Sequence, residues 1–303
     1  MAAGGTVIGW IGVGKMGLPM AGHLVAAGHD VLARDVVAAN VDALAAQGAR
    51  RAASAAEVAR AAAITFSSLP DDAALRTVAL APDGVIANAA PGAIFVDTST
   101  VSPAVSGEVA EAAAARGVRY LRVTVSGNNH MAARAALTVM ASGPRDVFDD
   151  VQPLLARFGP NVFHVGDAEE ARVLKLVINL MIAGTAGMLS EALALGRRGG
   201  LAWDQMLDII GASAVGSPIV KAKSVELKRR DFTPTFTCVQ MQKDLDLILD
   251  AGKDLGVTMP VTATVAQLVQ ACIGMGDADD DYIATVKLIE RLSGLDPANV
   301  SPP

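Results

Sequence analysis

Cysteine is almost missing: Cys238 and Cys272 are the two in a chain of 303 residues. Two thiols cannot build a disulfide framework, and neither stands at ligand-like spacing to any of the four histidines. A reducing, cytoplasmic setting and no catalytic metal are therefore expected. Positive charge is also scarce, with 25 Lys and Arg against 31 Asp and Glu and a formal net charge of −6. That balance offers no attracting field to a phosphodiester backbone, so no nucleic-acid partner is expected. The N-terminus shows no basic segment followed by an apolar one, the pattern of an export signal. The longest uncharged apolar stretch, Leu176 to Leu189, is shorter than the ~20 residues of a membrane span. It is expected to be a buried helix, with no membrane partner.

Apolar aliphatics are what the chain has instead. Hydrophobic residues make up 52% and aromatics only 4%, so a large core of Ala, Val and Leu is available and disorder is excluded. The length favours two domains. Short apolar runs at Val7 to Ile11, Val31 to Ala33, Ile64 to Leu69 and Ile94 to Val96 alternate with Ala-rich helical segments. Further strands are expected at Arg119 to Val125, Leu137 to Ser142 and Val162 to Val165, with a helix from Pro144 to Phe158. Strands alternating with helices predict a Rossmann-type, doubly wound parallel sheet over residues 1–166. Beyond Gly166 the strand-like runs stop. Residues 167–303 are expected to form an all-α domain that begins with a long interdomain helix, Ala171 to Arg198.

Gly12-Val13-Gly14-Lys15-Met16-Gly17 is a GxGxxG placed directly after a strand and opening a helix. In such a turn the first glycine permits the tight bend, the second lets backbone approach a pyrophosphate, and the third allows close packing of helix on strand. The helix N-terminus then presents N–H groups to the anion. Asp35, at the end of the second apolar run, can accept hydrogen bonds from a ribose diol and would repel a 2′-phosphate. NAD is expected over NADP, although Arg34 stands beside Asp35.

With these residues in view, the chain resembles the β-hydroxyacid dehydrogenase family, which includes 3-hydroxyisobutyrate dehydrogenase and tartronate semialdehyde reductase. The resemblance covers nearly the whole chain. Gly9 to Met20 is similar to the family's GxGxMGxxM cofactor signature. Leu69-Pro70 and Asp97-Thr98-Ser99-Thr100 with Pro103 resemble its LP and DxST…P loops, which implies that Leu69, Pro70 and Thr100 line the nicotinamide and ribose side. Val125-Ser126-Gly127, followed by Leu137 to Met140, resembles the VSGG…GxLT substrate signature, so Ser126, Gly127 and Asn128 are the implied holders of a substrate carboxylate. Gly166 with Lys175 and Asn179 resembles the G…KxxNN helix. The implied roles are Lys175 as general acid/base and Asn179 as its hydrogen-bonding partner, or that of the reacting oxygen. Lys175 and Asn179 are four apart and share a helical face, and desolvation in so apolar a helix would favour the neutral amine that such chemistry needs. Lys243-Asp244-Leu245 resembles the KDL helix, with Lys243 implied to reach the cofactor. Without the family, Lys243 and Asp244 read as a solvated helical pair.

Three departures stand out. Arg122-Val123-Thr124 replaces the family's Asp-Ala-Pro, Asn128 replaces the second glycine of the substrate signature, and Met131 and Ala135 replace later glycines. Either the backbone changes shape where positive φ is lost, or Asn128 offers an amide to a different head group. An atypical hydroxyacid-like small molecule is the expected substrate. His130 reads as a solvated loop residue, and Phe232 and Phe236 as core. Asp277 to Asp281 reads as the capped, solvated start of the last helix. The greasy helical half implies a homo-oligomer, dimer or tetramer. Two alternatives stay open: an NADP-dependent reductase of the same family, and a non-catalytic NAD-binding interaction protein.

Overall fold

The computed structural model describes residues 6–298. The chain divides into two compact units, the first ending at Lys175 and the second beginning at Leu176. The first unit runs β1 (Ile8–Ile11), α1 (Gly17–Ala26), β2 (Val31–Arg34), α2 (Ala38–Ala45), β3 (Arg50–Arg51), α3 (Ala55–Ala61), β4 (Ile64–Ser67), α4 (Asp72–Leu80), α5 (Val85–Asn88), β5 (Ile94–Asp97), α6 (Pro103–Ala115), β6 (Arg119–Ser126), α7 (Asn129–Ala133), β7 (Thr138–Ser142), α8 (Arg145–Leu155) and β8 (Asn161–His164). The division falls inside α9 (Glu170–Arg198), whose first turn packs on the sheet through buried Ala171 and Arg172.

Among the described residues the strands form one sheet in the order β3-β2-β1-β4-β5-β6-β7-β8. β1 and β5 are buried along their whole length, as expected where helices cover both faces of a parallel sheet and the strand sequence is apolar without alternation. On one face Trp10 stacks on Phe66 with centroids 5.2 Å apart, and Phe158 meets both edge-on. On the other, Phe95 stacks on Tyr120. The strand order reverses between β1 and β4, so the loops leaving their C-terminal ends diverge and open a crevice there.

The sheet is parallel from β3 across to β6, and β7 departs from the expected pattern by running antiparallel to β6. The connection from Ser126 to Thr138 holds only the five-residue α7, too short for the crossover of about a dozen residues or more that a parallel return requires. β8 then pairs parallel to β7 through the longer α8 connection.

The second unit adds α10 (Trp203–Ala212), α11 (Pro218–Lys228), α12 (Cys238–Asp254), α13 (Pro260–Gly274), a 3-10 turn (Tyr282–Ala284) and α14 (Thr285–Leu292). Its core gathers Leu189, Leu193, Trp203, Leu227, Ile248 and Val269, with Phe232 and Phe236 packed against it. Thr237 and Gln240 start α12 with a reciprocal capping box. α9 is long and apolar enough to cross a membrane by length and composition, yet only 39% of its apolar window is buried. The expected buried helix is therefore buried on one face, while Val177, Met181, Met188 and Leu195 are exposed.

Asp277 and Asp281 correct an expectation, for neither is solvated. Asp281 caps the 3-10 turn through the Ile283 N–H and accepts from Lys223 Nζ at 2.9 Å, while Asp277 accepts from Lys287 and Arg291. Buried carboxylates need such partners, and spacing along one helix cannot reveal cations that arrive from α11 and α14.

Candidate functional site

The three turn glycines answer to different demands. Gly12 has φ of +89°, and a Cβ there would lie 2.2 Å from the Ser68 carbonyl oxygen. A Cβ on Gly17 would lie 2.0 Å from the Gly12 oxygen. Both are glycine because the fold leaves no room. Gly14 has neither constraint: its Cβ would meet nothing within 4 Å, and its φ is not left-handed. Gly14 and Lys15 are exposed, Met16 tucks against the core, and no side chain caps the start of α1. Leu18 N–H donates to the Gly14 carbonyl at 2.9 Å and Pro19 has no N–H, so the donors that a pyrophosphate can use are those of the glycine turn itself, beside an open Gly14.

Asp35 is buried beside this turn. Its carboxylate accepts from the Val13 N–H at 2.6 Å and from the Val37 N–H at 2.7 Å, so the glycine turn itself fixes its position. Val36, next along, is 91% exposed. A fixed carboxylate can accept from a ribose diol, and Val36 and Val37 give a 2′-phosphate no cation, although Arg34 precedes Asp35.

The Leu69-Pro70 and Thr98 to Thr100 loops leave β4 and β5 side by side, tied by Ser99 Oγ accepting from the Leu69 N–H at 2.8 Å. Asp97, wholly buried, accepts from Ser67 Oγ and Ser99 Oγ, each at 2.6 Å, so it braces both loops. The cation that balances it is Arg172, also fully buried, whose guanidinium donates to Asp97 Oδ2 at 2.6 Å. Sequence reasoning missed Arg172. A lone arginine in the first turn of a helix reads as surface, and the one signal it gave was the apolar run that surrounds it.

At the end of β6, Ser126 is half-buried, Gly127 exposed with φ of +135°, and Asn128 half-buried. The departures from the family pattern are accounted for locally. Arg122 pairs with Glu169 at 2.5 Å and Thr124 Oγ1 donates to the Ala171 carbonyl at 3.0 Å, so both residues dock the start of α9. Met131 packs against the sheet core. Asn128 Oδ1 caps α7 by accepting from the Met131 N–H at 3.0 Å, which commits its oxygen and leaves the amide nitrogen as a donor. Ala135 has φ of +50°: the glycine conformation is kept although the glycine is gone. Of the two expected outcomes, the reshaped backbone is therefore not found at Ala135. Asn129, with Oδ1 buried and unpartnered, is a neighbour that the sequence did not single out. His130 is exposed.

In the second unit, Asn179 is buried and donates through Nδ2 to Asp244 Oδ2 at 2.5 Å, while Lys243 Nζ lies 2.7 Å from Asp244 Oδ1. Asp244 is 1% exposed, which corrects the family-free expectation of a solvated pair. It joins Asn179 of α9 to Lys243 of α12. Lys175, half-buried, stands one turn before Asn179 in α9.

These features define a dinucleotide-dependent oxidoreductase, and comparison with known proteins says which kind. Residues 7–166 match the model of the NAD binding domain of 6-phosphogluconate dehydrogenase. Residues 170–289 match the one described as NAD-binding of NADP-dependent 3-hydroxyisobutyrate dehydrogenase. A 2-(hydroxymethyl)glutarate dehydrogenase of Eubacterium barkeri is 37% identical over 95% of this chain and 96% of its own. An NAD-dependent L-serine dehydrogenase of Pseudomonas aeruginosa is 31% identical over 95% of this chain and 99% of its own. A structure of Mycobacterium tuberculosis 3-hydroxyisobutyrate dehydrogenase with L-serine superposes with a TM-score of 0.86 at 29% identity, covering 94% of this chain and 99% of that one. The chain belongs to the β-hydroxyacid dehydrogenase family and is an NAD(P)-dependent enzyme that acts on CH–OH groups of small molecules.

Proposed function

We propose that this enzyme prefers NAD to NADP and interconverts a small β-hydroxyacid-like alcohol and its semialdehyde, with Lys175 as general acid/base. The observation that carries the cofactor choice is Asp35, pinned by the Val13 and Val37 N–H groups with the uncharged Val36 beside it. Bound nicotinamide supplies the hydride acceptor in oxidation and the donor in reduction. Gly12, Gly14, Lys15, Met16 and Gly17 hold the pyrophosphate, while Leu69, Pro70 and Thr100 line the nicotinamide and ribose. Lys175 takes the hydroxyl proton as the hydride departs and returns it in the reverse direction. Asn179, held by Asp244, is assigned the role of orienting Lys175 or the reacting oxygen, and Lys243, paired with the same Asp244, that of a cofactor contact.

Ser126 and Gly127 receive the substrate carboxylate through hydroxyl and N–H donors. Asn128 adds an amide nitrogen that a glycine would lack, which favours a substrate with one further acceptor. A dicarboxylate such as 2-(hydroxymethyl)glutarate, which gives the 37% identical relative its name, is the first to test. The exposed Val177, Met181, Met188 and Leu195 of α9 favour a homo-oligomer in which a second copy covers them, tested by light scattering on Met188→Glu. The reduced, buried cysteines fit the cytoplasm.

NADH formation is the test, run with NAD and NADP against 2-(hydroxymethyl)glutarate, L-serine, 3-hydroxyisobutyrate and glycerate. The expected result is turnover with NAD at higher kcat/KM than with NADP, lost by about 10²–10⁴-fold in Lys175→Ala while NAD binding is kept. A faster NADP reaction would favour the NADP-dependent alternative, which Arg34 supports by its place beside Asp35. Cofactor binding with no turnover of any panel member, unaltered by Lys175→Ala, would favour the non-catalytic one.

A further inference from the structure

Arg172 makes more hydrogen bonds than a charge balance for Asp97 requires. Besides Asp97 Oδ2, its guanidinium donates to the Ser99 carbonyl at 2.6 Å, Tyr120 Oη at 3.0 Å, Ser106 Oγ at 3.2 Å and the Val123 carbonyl at 3.3 Å. These acceptors belong to β5, its following loop, α6 and β6, so one planar group spans the sheet's C-terminal edge. A neutral buried side chain could replace the volume, but no other side chain presents a rigid fork of donors to so many oxygens. The loop it grips continues into Thr100, and its own backbone lies one turn before Lys175 in α9. A second tie runs in parallel: Arg122 to Glu169, Thr124 to the Ala171 carbonyl, and Ser142 Oγ between the Ala168 carbonyl and the Ala171 N–H.

We propose that Arg172 is a positioning residue, holding the first turn of α9 and hence Lys175 in register with the Ser99–Thr100 loop. The inference rests on Lys175 being the general acid/base. Acid–base catalysis is sensitive to placement, since about an ångström of misplacement costs on the order of 100-fold. A brace that joins the loop to the helix one turn from the amine removes that freedom before substrate arrives.

The test is a double-mutant cycle with Arg172→Lys, Lys175→Ala and the double variant, measuring kcat, NAD affinity and melting temperature. Arg172→Lys keeps a cation for Asp97 but loses the fork. The expected result is a kcat lower by roughly 10–100-fold, NAD affinity within about threefold, and less than about twofold further loss when Arg172→Lys is added to Lys175→Ala. An equal loss on both backgrounds would mean a merely structural arginine and would overturn the proposal. If Lys175→Ala itself left kcat unchanged, the underlying assignment would fail first, which separates the two outcomes. A readout independent of turnover is the ¹³C-dimethyl resonance of Lys175 after reductive methylation, identified by its loss in Lys175→Arg. Its titration in the NAD complex is expected to shift in Arg172→Lys, and in the gentler Tyr120→Phe should the lysine variant not fold. A titration identical to the unaltered protein in a folded variant would contradict the proposal.

Discussion

Two glycine turns leave this sheet, one after β1 and one after β6, and their glycines have fared differently. In the first, Gly12 and Gly17 are enforced by backbone oxygens that a Cβ would strike, and Gly14 is enforced by nothing in the protein. In the second, Asn128, Met131 and Ala135 stand where the family pattern has glycine, while the positive φ persists at Ala135. The difference teaches where each constraint resides. A dinucleotide presents the same pyrophosphate to every enzyme that binds it, so its turn cannot take a side chain even where space is open. A substrate head group varies, and the β6 turn, proposed to receive it, has traded glycines for a cap, a core contact and a tolerated strain.

The comparison can be broken at three places, in falling order of effect. Gly17→Ala forces a methyl to 2.0 Å from the Gly12 oxygen and is expected to destabilise the protein by about 3 kcal/mol, read by denaturant unfolding. Gly14→Ala is expected to leave the melting temperature in place while weakening NAD binding on the order of 100-fold, near 2.7 kcal/mol. Ala135→Gly relieves a left-handed alanine and is expected to stabilise by about 0.5–1 kcal/mol without changing NAD affinity. Destabilisation there would mean that the strain is no strain.

The smallest effect lies outside both turns and serves as a control. Burial would raise the Asp277 carboxyl above its ordinary 3.8, but hydrogen bonds and charge from Lys287 and Arg291 outweigh it and hold the group below that value. A depressed folded-state value gives stability that is present above 3.8 and is lost as pH falls through the folded value. Asp277→Asn should therefore flatten the acid limb of stability below about pH 4 and leave the NAD affinity of both turn variants unaltered.

What was legible in the sequence follows the same division. β1, β2, β4 and β5 stood out because strands buried on both faces carry short continuous apolar runs. The phosphate turn stood out because three glycines at this spacing, set between a strand and a helix, seldom arise unless an anion is to be bound. The reversal at β7 and the two-residue β3 did not, since one depends on the length of a connection and the other on pairing with β2. Among candidate site residues, side chains proposed to meet a ligand were easier to single out than those that brace them. Asp97 resembled a cofactor loop residue and proved to be a buried brace, and Asp244 looked solvated yet binds Asn179. Arg122 and Thr124 stood out only as departures from the family pattern, and they dock the start of α9. In each case the deciding partner lies 30 to 75 positions away along the chain, beyond the reach of local pattern.

The most direct test is calorimetric titration of NAD into Gly14→Ala, with a thermal melt of the same sample. An unchanged melt with binding weakened by about two orders of magnitude is the expected result if, as proposed, Gly14 serves the ligand and not the fold. Unweakened binding would contradict the account, for then neither protein nor dinucleotide would require glycine at that position.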